Sequence, residues 1–251
     1  MKKVKIYKII LVFLFLVCFS KGDEGIIFYI SFDKSIENAD ISSGKKEGKI
    51  NGEVIQVDGI KGKGVIVGEK GSITFDAEKN IDISKGTISF WFSPFDWDSS
   101  YEGTIIFIKM DTKDGINVAW LNKEVDRKTW GNTLCVSLYG QDENGKYIWG
   151  AIRGRYGSAS NIKKNQWYHF LITWDEKIMY IYMNGELQGY GTRKLFRQPD
   201  RIHIGPGLST GNQPQTIIDE VKILNEFLTA DEVKKFFKKE LPEKEDIDQE
   251  F

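Results

Sequence analysis

Residues 166–191 read QWYHFLITWDEKIMYIYMNGELQGYG and contain the clearest β-strand pattern of the chain. Two β-rich runs are joined by Asn184-Gly185, a strong hairpin signal because both residues accept a positive φ in a type I′ turn. Between Trp167 and Trp174, bulky side chains occupy both sets of alternating positions, so this strand is predicted to lie between two layers. The stretch therefore predicts an antiparallel meander in the middle of a β-sandwich.

Four further segments follow the order found in one group of β-sandwiches. They are a first strand, a strand with Ser-x-Trp, a strand ending Ile-Gly and a closing strand, at residues 29–33, 86–92, 202–205 and 218–223. Together with the Trp-x-His strand and the Asn-Gly hairpin, they resemble the laminin-G-like group of concanavalin A-like jelly rolls. The resemblance implies an all-β, two-sheet antiparallel jelly-roll β-sandwich. Since this fold occurs in lectins, adhesion modules and glycosidases alike, it does not by itself give the function.

The end of the chain has a different pattern. Thr229 to Glu232 form a capping box, and apolar residues from Val233 to Leu241 recur at helical spacing, which predicts a short C-terminal helix. Pro242 ends this helix, and we predict that the acidic segment 242–251 is disordered. Residues 21–241 are then predicted to be one laminin-G-like domain, because a sandwich of this length is ordinarily a single domain.

The first 20 residues have the pattern of a signal peptide. Four lysines precede an apolar run from Ile9 to Phe19, which is short for a membrane span but typical of a signal-peptide core. Cys18 and Ser20 are small enough for cleavage before Lys21. Acylation of Cys18 in a lipoprotein is an alternative, which we disfavour because Val17 precedes the cysteine. We expect a secreted, periplasmic or cell-surface protein with no membrane span in the mature chain.

Charge and cysteine content narrow the classes of partner. The whole chain has a formal net charge of -1, and removing four lysines with the signal peptide leaves about -5. We therefore expect no nucleic-acid partner. Cys135 is the one cysteine outside the signal segment, so no disulfide is expected within the domain.

Carboxylate patterns argue against a glycoside hydrolase. Such enzymes on this fold need an acid and a nucleophile on alternating positions of one strand. Glu124 and Asp126 have the spacing, but they continue into Arg127 and Lys128, so we interpret them as part of a charged segment outside the sheet. A hydrolase remains the least favoured alternative.

One segment has the composition of a binding surface. Tyr147, Trp149, Arg153 and Arg155 alternate with Ile148 and Ile152, so inward isoleucines place the aromatic and arginine side chains on the outer face. The neighbouring run adds Tyr139 to the same side. Exposed aromatic rings can stack on sugar rings, and arginine supplies fixed hydrogen-bond donors. The alternative is that loops around Trp97, Tyr101 and Trp130 cover this face and make it a second small core.

The two histidines are assigned different roles. His169 occupies the Trp-x-His position, where a packed, hydrogen-bonded histidine is the favoured interpretation. His203 alternates with Ile202 and Ile204, so it points outward together with Arg201. We include Arg201 and His203 in the predicted ligand-binding set, with plain surface residues as the alternative.

The resemblance also implies a structural metal ion. Related sandwiches often hold calcium between the loop after the first strand and the start of the last strand, and Asp33 and Asp219 occupy the matching positions. Carboxylate oxygens suit Ca²⁺. We therefore predict a structural calcium site at these two residues.

These observations favour an exported, non-catalytic binding module. Its preferred partner is a glycan or polysaccharide, bound through the aromatic and arginine-bearing face. The alternative is a structural or adhesive protein that binds another protein at the cell surface.

Overall fold

The computed structural model describes residues 25–69, 71–126, 131–141, 144–207 and 213–242. The predicted signal peptide and nearly all of the predicted acidic tail lie outside these residues. Sixteen strands and one helix follow one another along the described chain: β1 (Ile26–Ile30), β2 (Ile41–Ser42), β3 (Lys49–Asn51), β4 (Ile55–Asp58), β5 (Lys63–Val67), β6 (Ser72–Asp76), β7 (Gly86–Pro94), β8 (Ile105–Asp111), β9 (Asn117–Asp126), β10 (Gly131–Gln141), β11 (Tyr147–Arg153), β12 (Tyr168–Trp174), β13 (Ile178–Met183), β14 (Glu186–Thr192), β15 (Arg201–Ile204), β16 (Thr216–Leu224) and α1 (Ala230–Glu240).

The strands form two antiparallel sheets. Sheet 1 has the order β14-β13-β12-β7-β16-β1-β2, and β4 and β5 join it through pairing of β5 with β16. Sheet 2 has the order β11-β10-β9-β8-β15-β6-β3. Distant segments of the chain are neighbours in both sheets, as in a jelly roll. The predicted all-β, two-sheet sandwich with a short C-terminal helix is confirmed.

The meander predicted from residues 166–191 consists of β12, β13 and β14. Asn184 and Gly185 have φ values of 50° and 75°, as a type I′ turn requires. The preceding turn is fixed by Asp175, whose carboxylate accepts hydrogen bonds from the backbone N–H groups of Lys177 and Ile178. Strand β12 also pairs with β7, so it lies inside sheet 1.

The core between the sheets is rich in phenylalanine. Phe90 of sheet 1 packs edge-on against Phe170 at 5.3 Å between ring centres, and Phe92 lies 4.4 Å from Phe107 of sheet 2. All four side chains are fully buried. Burial of each contributes about 1.5–3 kcal/mol to the free energy of folding. Because no disulfide is present in the described residues, this core is the main source of stability.

Helix α1 covers the outer face of sheet 1. Thr229 is its N-cap and forms the predicted capping box with Glu232. Val233 and Phe236 pack against Leu171 and other apolar residues of this face. Strand β12 therefore has the core between the two sheets on one side and the helix on the other. This explains why both of its faces carry bulky residues.

A buried ion cluster joins the helix to sheet 1. The Lys222 ammonium lies 2.5 Å from a Glu240 carboxylate oxygen and 3.1 Å from a Glu220 oxygen. Tyr29 donates a hydrogen bond to the other oxygen of Glu220. Lys61 approaches both carboxylates from the outside, at 3.7 Å from Glu240 and 4.0 Å from Glu220.

Candidate functional site

Six of the seven predicted ligand-binding residues lie on the outer face of sheet 2. In β10 and β11, Tyr139 is the register partner of Trp149, and alternation places Tyr147 and Arg153 on the same face. In β15, Arg201 and His203 also face outward, while Ile202 and Ile204 belong to the core. The seventh residue, Arg155, follows the end of β11 and is exposed.

Four aromatic side chains lie on this face of β9, β10 and β11, and we call them the aromatic row: Trp120, Tyr139, Tyr147 and Trp149. Trp120 of β9 lies 4.9 Å from Tyr139, and Tyr139 lies 5.9 Å from Tyr147 in a stacked arrangement. Strands are spaced by ~4.8 Å, so the row extends ~10 Å across the three strands β9, β10 and β11. It begins half-buried at Trp120 and ends in solvent.

The exposed end of the row consists of Trp149 and Tyr147, which are 60% and 48% exposed. Ile152 on the opposite face of β11 is buried in the core, which confirms the predicted orientation of the strand. The alternative considered from the sequence was that loops cover this face. It is wrong for Trp149 and Tyr147, because both rings are exposed. Trp97 instead packs in the core and donates a hydrogen bond to Thr216, and Trp130 lies outside the described residues.

Glu124 is placed differently from the sequence interpretation. It lies within β9, and Asp126 is the last residue of that strand, so their assignment to a segment outside the sheet was wrong. The Arg153 guanidinium forms an ion pair with Glu124 across β10, above Cys135. Burial, together with the Glu124 charge, raises the pKa of the Cys135 thiol to about 12. The ion-paired glutamate fixes the arginine beside the aromatic row.

Arg201 and His203 lie in a polar cluster. The expectation that His203 is exposed was wrong, because its side chain is buried. Asp111 accepts hydrogen bonds from Arg201 Nε at 2.7 Å and from His203 Nε2 at 3.0 Å, and the Lys109 ammonium lies 3.5 Å away. Thr74 binds His203 Nδ1 at 2.8 Å. The side chains turn outward as predicted, but neighbouring strands supply partners that the sequence pattern does not reveal.

The pKa values of two groups in the polar cluster are shifted. Burial alone raises the pKa of Asp111, but the hydrogen bonds and positive charges of His203 and Arg201 outweigh it, so the pKa lies below its ordinary value. Burial lowers the pKa of Lys109 despite the nearby Asp111. On this face Lys109 of β8 is the register partner of both His203 of β15 and Trp120 of β9, so the polar cluster adjoins the half-buried end of the aromatic row. Strands β8 and β9 separate Arg201 and His203 from the rings of β10 and β11, which at ~4.8 Å per strand are ~14 Å or more away.

A groove runs beside the row, where the edge strands β11 and β14 diverge. It has a volume of about 440 Å³, and Gly150, Ile152 and Arg153 line one wall while Gly191 and Leu195 line the other. The strands meet at one end through a hydrogen bond from Arg155 N to Gln188 O. Arg153 thus borders both the groove and the aromatic row.

His169 has the structural role favoured from the sequence. Its side chain is fully buried, and Nε2 shares a 2.7 Å hydrogen bond with Ser89 Oγ. Burial lowers the pKa of His169 to about 3, so the ring is neutral at physiological pH.

The predicted calcium ligands face the same loop between β4 and β5. Asp219 is fully buried and accepts a hydrogen bond from the N–H of Lys61, and Asp33 accepts one from the N–H of Lys63. Burial raises the pKa of Asp219 to about 8, which a bound cation would counteract. Ca²⁺ takes roughly six to eight oxygen ligands, so backbone carbonyls and water would have to complete the set. Within the described ranges, no group of three or more His, Cys, Asp or Glu side chains is arranged to hold a metal ion, and calcium stays a prediction.

Trp120 is the main residue that the sequence reasoning missed. It lies between Ala119 and Leu121, which are both fully buried, so period-2 alternation was the available signal. The polar and charged residues that follow Leu121 weakened that signal.

Across the part of the chain that the structure describes, no helix is long and apolar enough to span a membrane.

Solved structures with the same fold include several binding domains. The binding domain of botulinum neurotoxin DC, in complex with SialylT, has a TM-score of 0.67 and 20% identity over 86% of this chain and 51% of its own. Domain 4 of AbnA, a GH43 extracellular arabinanase from Geobacillus stearothermophilus, was solved with arabinotriose and has a TM-score of 0.62 and 19% identity over 84% of this chain and 97% of its own. The binding domain of Paraclostridial Mosquitocidal Protein 1 has a TM-score of 0.59 and 19% identity over 85% of this chain and 52% of its own.

The chain thus spans about half the length of these two toxin binding domains and nearly all of the arabinanase domain. At such low identity the likeness shows the fold alone, and no curated protein matches the sequence. The sequence model of one superfamily matches residues 67–234, which is more than half of the chain. The chain therefore belongs to the concanavalin A-like lectin/glucanases superfamily.

Proposed function

We propose that the protein is an exported, non-catalytic carbohydrate-binding module whose glycan stacks on the aromatic row. The observation that carries the proposal is the exposure of Trp149 at the strand position opposite Tyr139 of the aromatic row. Large exposed apolar surfaces on a folded domain usually mark a binding site. Trp149 supplies the ring surface, and the buried end of the row holds the neighbouring rings in fixed orientations.

Arg153 and Arg155 supply the polar part of the proposed site. Arg153 is held by Glu124, so its guanidinium is fixed in orientation beside the rings. A pre-oriented donor loses little conformational entropy when it binds a sugar hydroxyl or carboxylate. The arabinotriose and SialylT complexes of the structural neighbours support carbohydrate as the ligand class.

Export and the absence of catalysis are parts of the same proposal. The apolar run in residues 1–20 supports export, and the neighbouring arabinanase is described as extracellular. The ion pair of Glu124 with Arg153 supports binding over hydrolysis, because hydrolysis needs one carboxyl group free to protonate the leaving oxygen.

The test is binding of the chain to a broad polysaccharide and glycan array, with Trp149→Ala as the variant. Truncation of a central aromatic contact costs about 2 kcal/mol or more, which weakens Kd by roughly 30-fold. Phe95→Ala is the matched control, since Phe95 is an exposed aromatic residue that follows β7 of the other sheet. Equal binding by Trp149→Ala and the unmodified chain would overturn the proposed site. Silence across the array would instead favour the structural or adhesive alternative.

A further inference from the structure

A second cleft lies at one end of the sandwich, away from the aromatic row. It has a volume of about 470 Å³, within the range of ~300–1,000 Å³ that ligand pockets usually have. The loop before β8 forms one wall with Ser99 and Tyr101, and the turn after β11 forms the other with Tyr156 and Ser160. Asn132 of β10 lies between the two walls.

Tyr101 is held in place by an unusual buried lysine. The Lys123 side chain is fully buried, donates a hydrogen bond to the Tyr101 carbonyl and places its ammonium 5.5 Å from the centre of the Tyr101 ring. Burial lowers the pKa of Lys123 to about 8, which reflects the cost of keeping this group out of water. The backbone N–H of Tyr101 also donates to Asp98 O at 3.1 Å. Three contacts therefore fix one aromatic wall of the cleft before any ligand arrives.

Tyr156 forms the opposite wall and is 71% exposed. Its ring lies over Gly131, where a Cβ atom would come within 3.2 Å of the ring. Gly131 also has a φ of 60°, which glycine adopts at little cost. This glycine therefore leaves room for the tyrosine ring beside the cleft.

Asn132 contributes a hydrogen-bond acceptor that the protein itself does not use. Its Nδ2 donates to Ser99 O, which fixes the orientation of the amide. Its Oδ1 is buried and has no hydrogen-bond partner within the described protein. A buried acceptor without a partner is costly, so a ligand hydroxyl that reaches this oxygen from the cleft gains the hydrogen bond that the protein lacks.

We propose that this cleft is a second carbohydrate-binding site, specific for a neutral saccharide held between Tyr101 and Tyr156. Two rings present apolar planes, and the Asn132 oxygen and nearby serine hydroxyls match the hydroxyl groups of a sugar. Glu102 also lines the cleft, and its negative charge disfavours anionic sugars.

The cleft is separate from the aromatic row. Asn132 of the cleft and Tyr139 of the row are seven residues apart on β10, which at ~3.3 Å per residue amounts to about 23 Å. The inference rests on the proposed function in one respect, because both surfaces take the same class of ligand. One extended polysaccharide or two separate chains could occupy them together.

The test is titration of the isotope-labelled chain with arabinotriose, cellotriose and trigalacturonate, followed by the backbone NMR signals of both sites. We expect a neutral trisaccharide to shift the signals of Gly131 and Ser160 in the unmodified chain and in Trp149→Ala. In Tyr156→Ala these shifts disappear or need roughly 30-fold more ligand, as for loss of a central aromatic contact. Tyr156→Phe keeps the ring plane and should bind, and Tyr190→Ala is the control for removing an exposed tyrosine elsewhere.

The outcomes separate the two proposals. Unchanged Gly131 shifts in Tyr156→Ala overturn the cleft proposal even if Trp149→Ala loses binding to its own face. If Tyr156→Ala loses binding and Trp149→Ala does not, the result supports the cleft and overturns the aromatic row. Equal response to trigalacturonate overturns the neutral specificity, and silence of Gly131 and Ser160 with all three probes overturns the second site.

Discussion

Replacement of Lys222 by methionine tests the buried ion cluster between α1 and sheet 1. Lys222, Glu220 and Glu240 all have side chains that are at most 10% exposed, so removal of the lysine leaves two buried carboxylates close to each other. Breaking a buried ion pair by removing one partner costs about 3–5 kcal/mol. For a domain of this size each kcal/mol lowers Tm by roughly 2–4 °C, so Tm should fall by about 6–20 °C.

The pH dependence of this variant is the sharper readout. In the unmodified chain, burial alone raises the pKa of Glu240, but the charge and hydrogen bond of Lys222 outweigh it and lower the pKa below 4.5. Glu240 therefore contributes stability above pH 4.5 that is lost as the pH falls through its lowered pKa. In Lys222→Met we expect burial to dominate and the pKa to rise, so protonation stabilises the variant as the pH falls. The difference in unfolding free energy between the two chains should shrink from neutral pH toward pH 4.5.

The assay is urea denaturation at several pH values, because urea does not screen charges. Lys61→Met is the matched control, since Lys61 is a third exposed and lies 3.7 Å from Glu240. A partly exposed pair of this kind contributes about 1 kcal/mol or less. The reasoning is refuted if Lys222→Met costs no more than Lys61→Met at neutral pH, or if its deficit is the same at every pH.

Two further predictions concern the metal site and the helix cap. If Asp33 and Asp219 bind Ca²⁺, calcium at about 100 times Kd should stabilise the chain by about 2.7 kcal/mol, and chelation should reverse the rise in Tm. Asp219→Asn should lose this response while Asp98→Asn keeps it, and equal Tm values with calcium and chelator would contradict the site. Thr229→Ala removes the N-cap of α1 and should cost about 1 kcal/mol in urea denaturation. Thr229→Ser keeps the hydroxyl and should cost less; equal losses would show that the hydroxyl does not cap the helix.

The local features of the fold could be predicted from the sequence. Alternation at Tyr147, Trp149 and Ile152 correctly gave the outer and inner faces of β11, because strand side chains have a period of two whatever the neighbouring strand is. The Asn184-Gly185 turn and the Thr229 cap were correct for the same reason, since each depends on a few consecutive residues. The segment 29–33 was assigned to the first strand, but this strand ends at Ile30, and Phe32 has a positive φ of 64° that breaks the strand conformation.

Non-local pairing could not be predicted in this way. Glu124 appeared to belong to a charged loop, and only its position across β10 from Arg153 explains a charged residue in that strand. His203 was expected at the surface, but Asp111 and Thr74 come from strands far apart in sequence and enclose it. Such partners depend on strand order, which local periodicity does not contain.

The placement of the described chain ends on sheet 1 determines how the molecule can be attached to a surface. Gly25 accepts a hydrogen bond from Asn225 N beside the end of β16, and Glu240 at the end of α1 binds Lys222 on the outer side of the same sheet. Trp149 is on the opposite side of the sandwich. A tether or fusion partner joined directly at Gly25 or Glu240 therefore leaves the aromatic row pointing away from the support, so a chain immobilised there presents this face to ligands in solution.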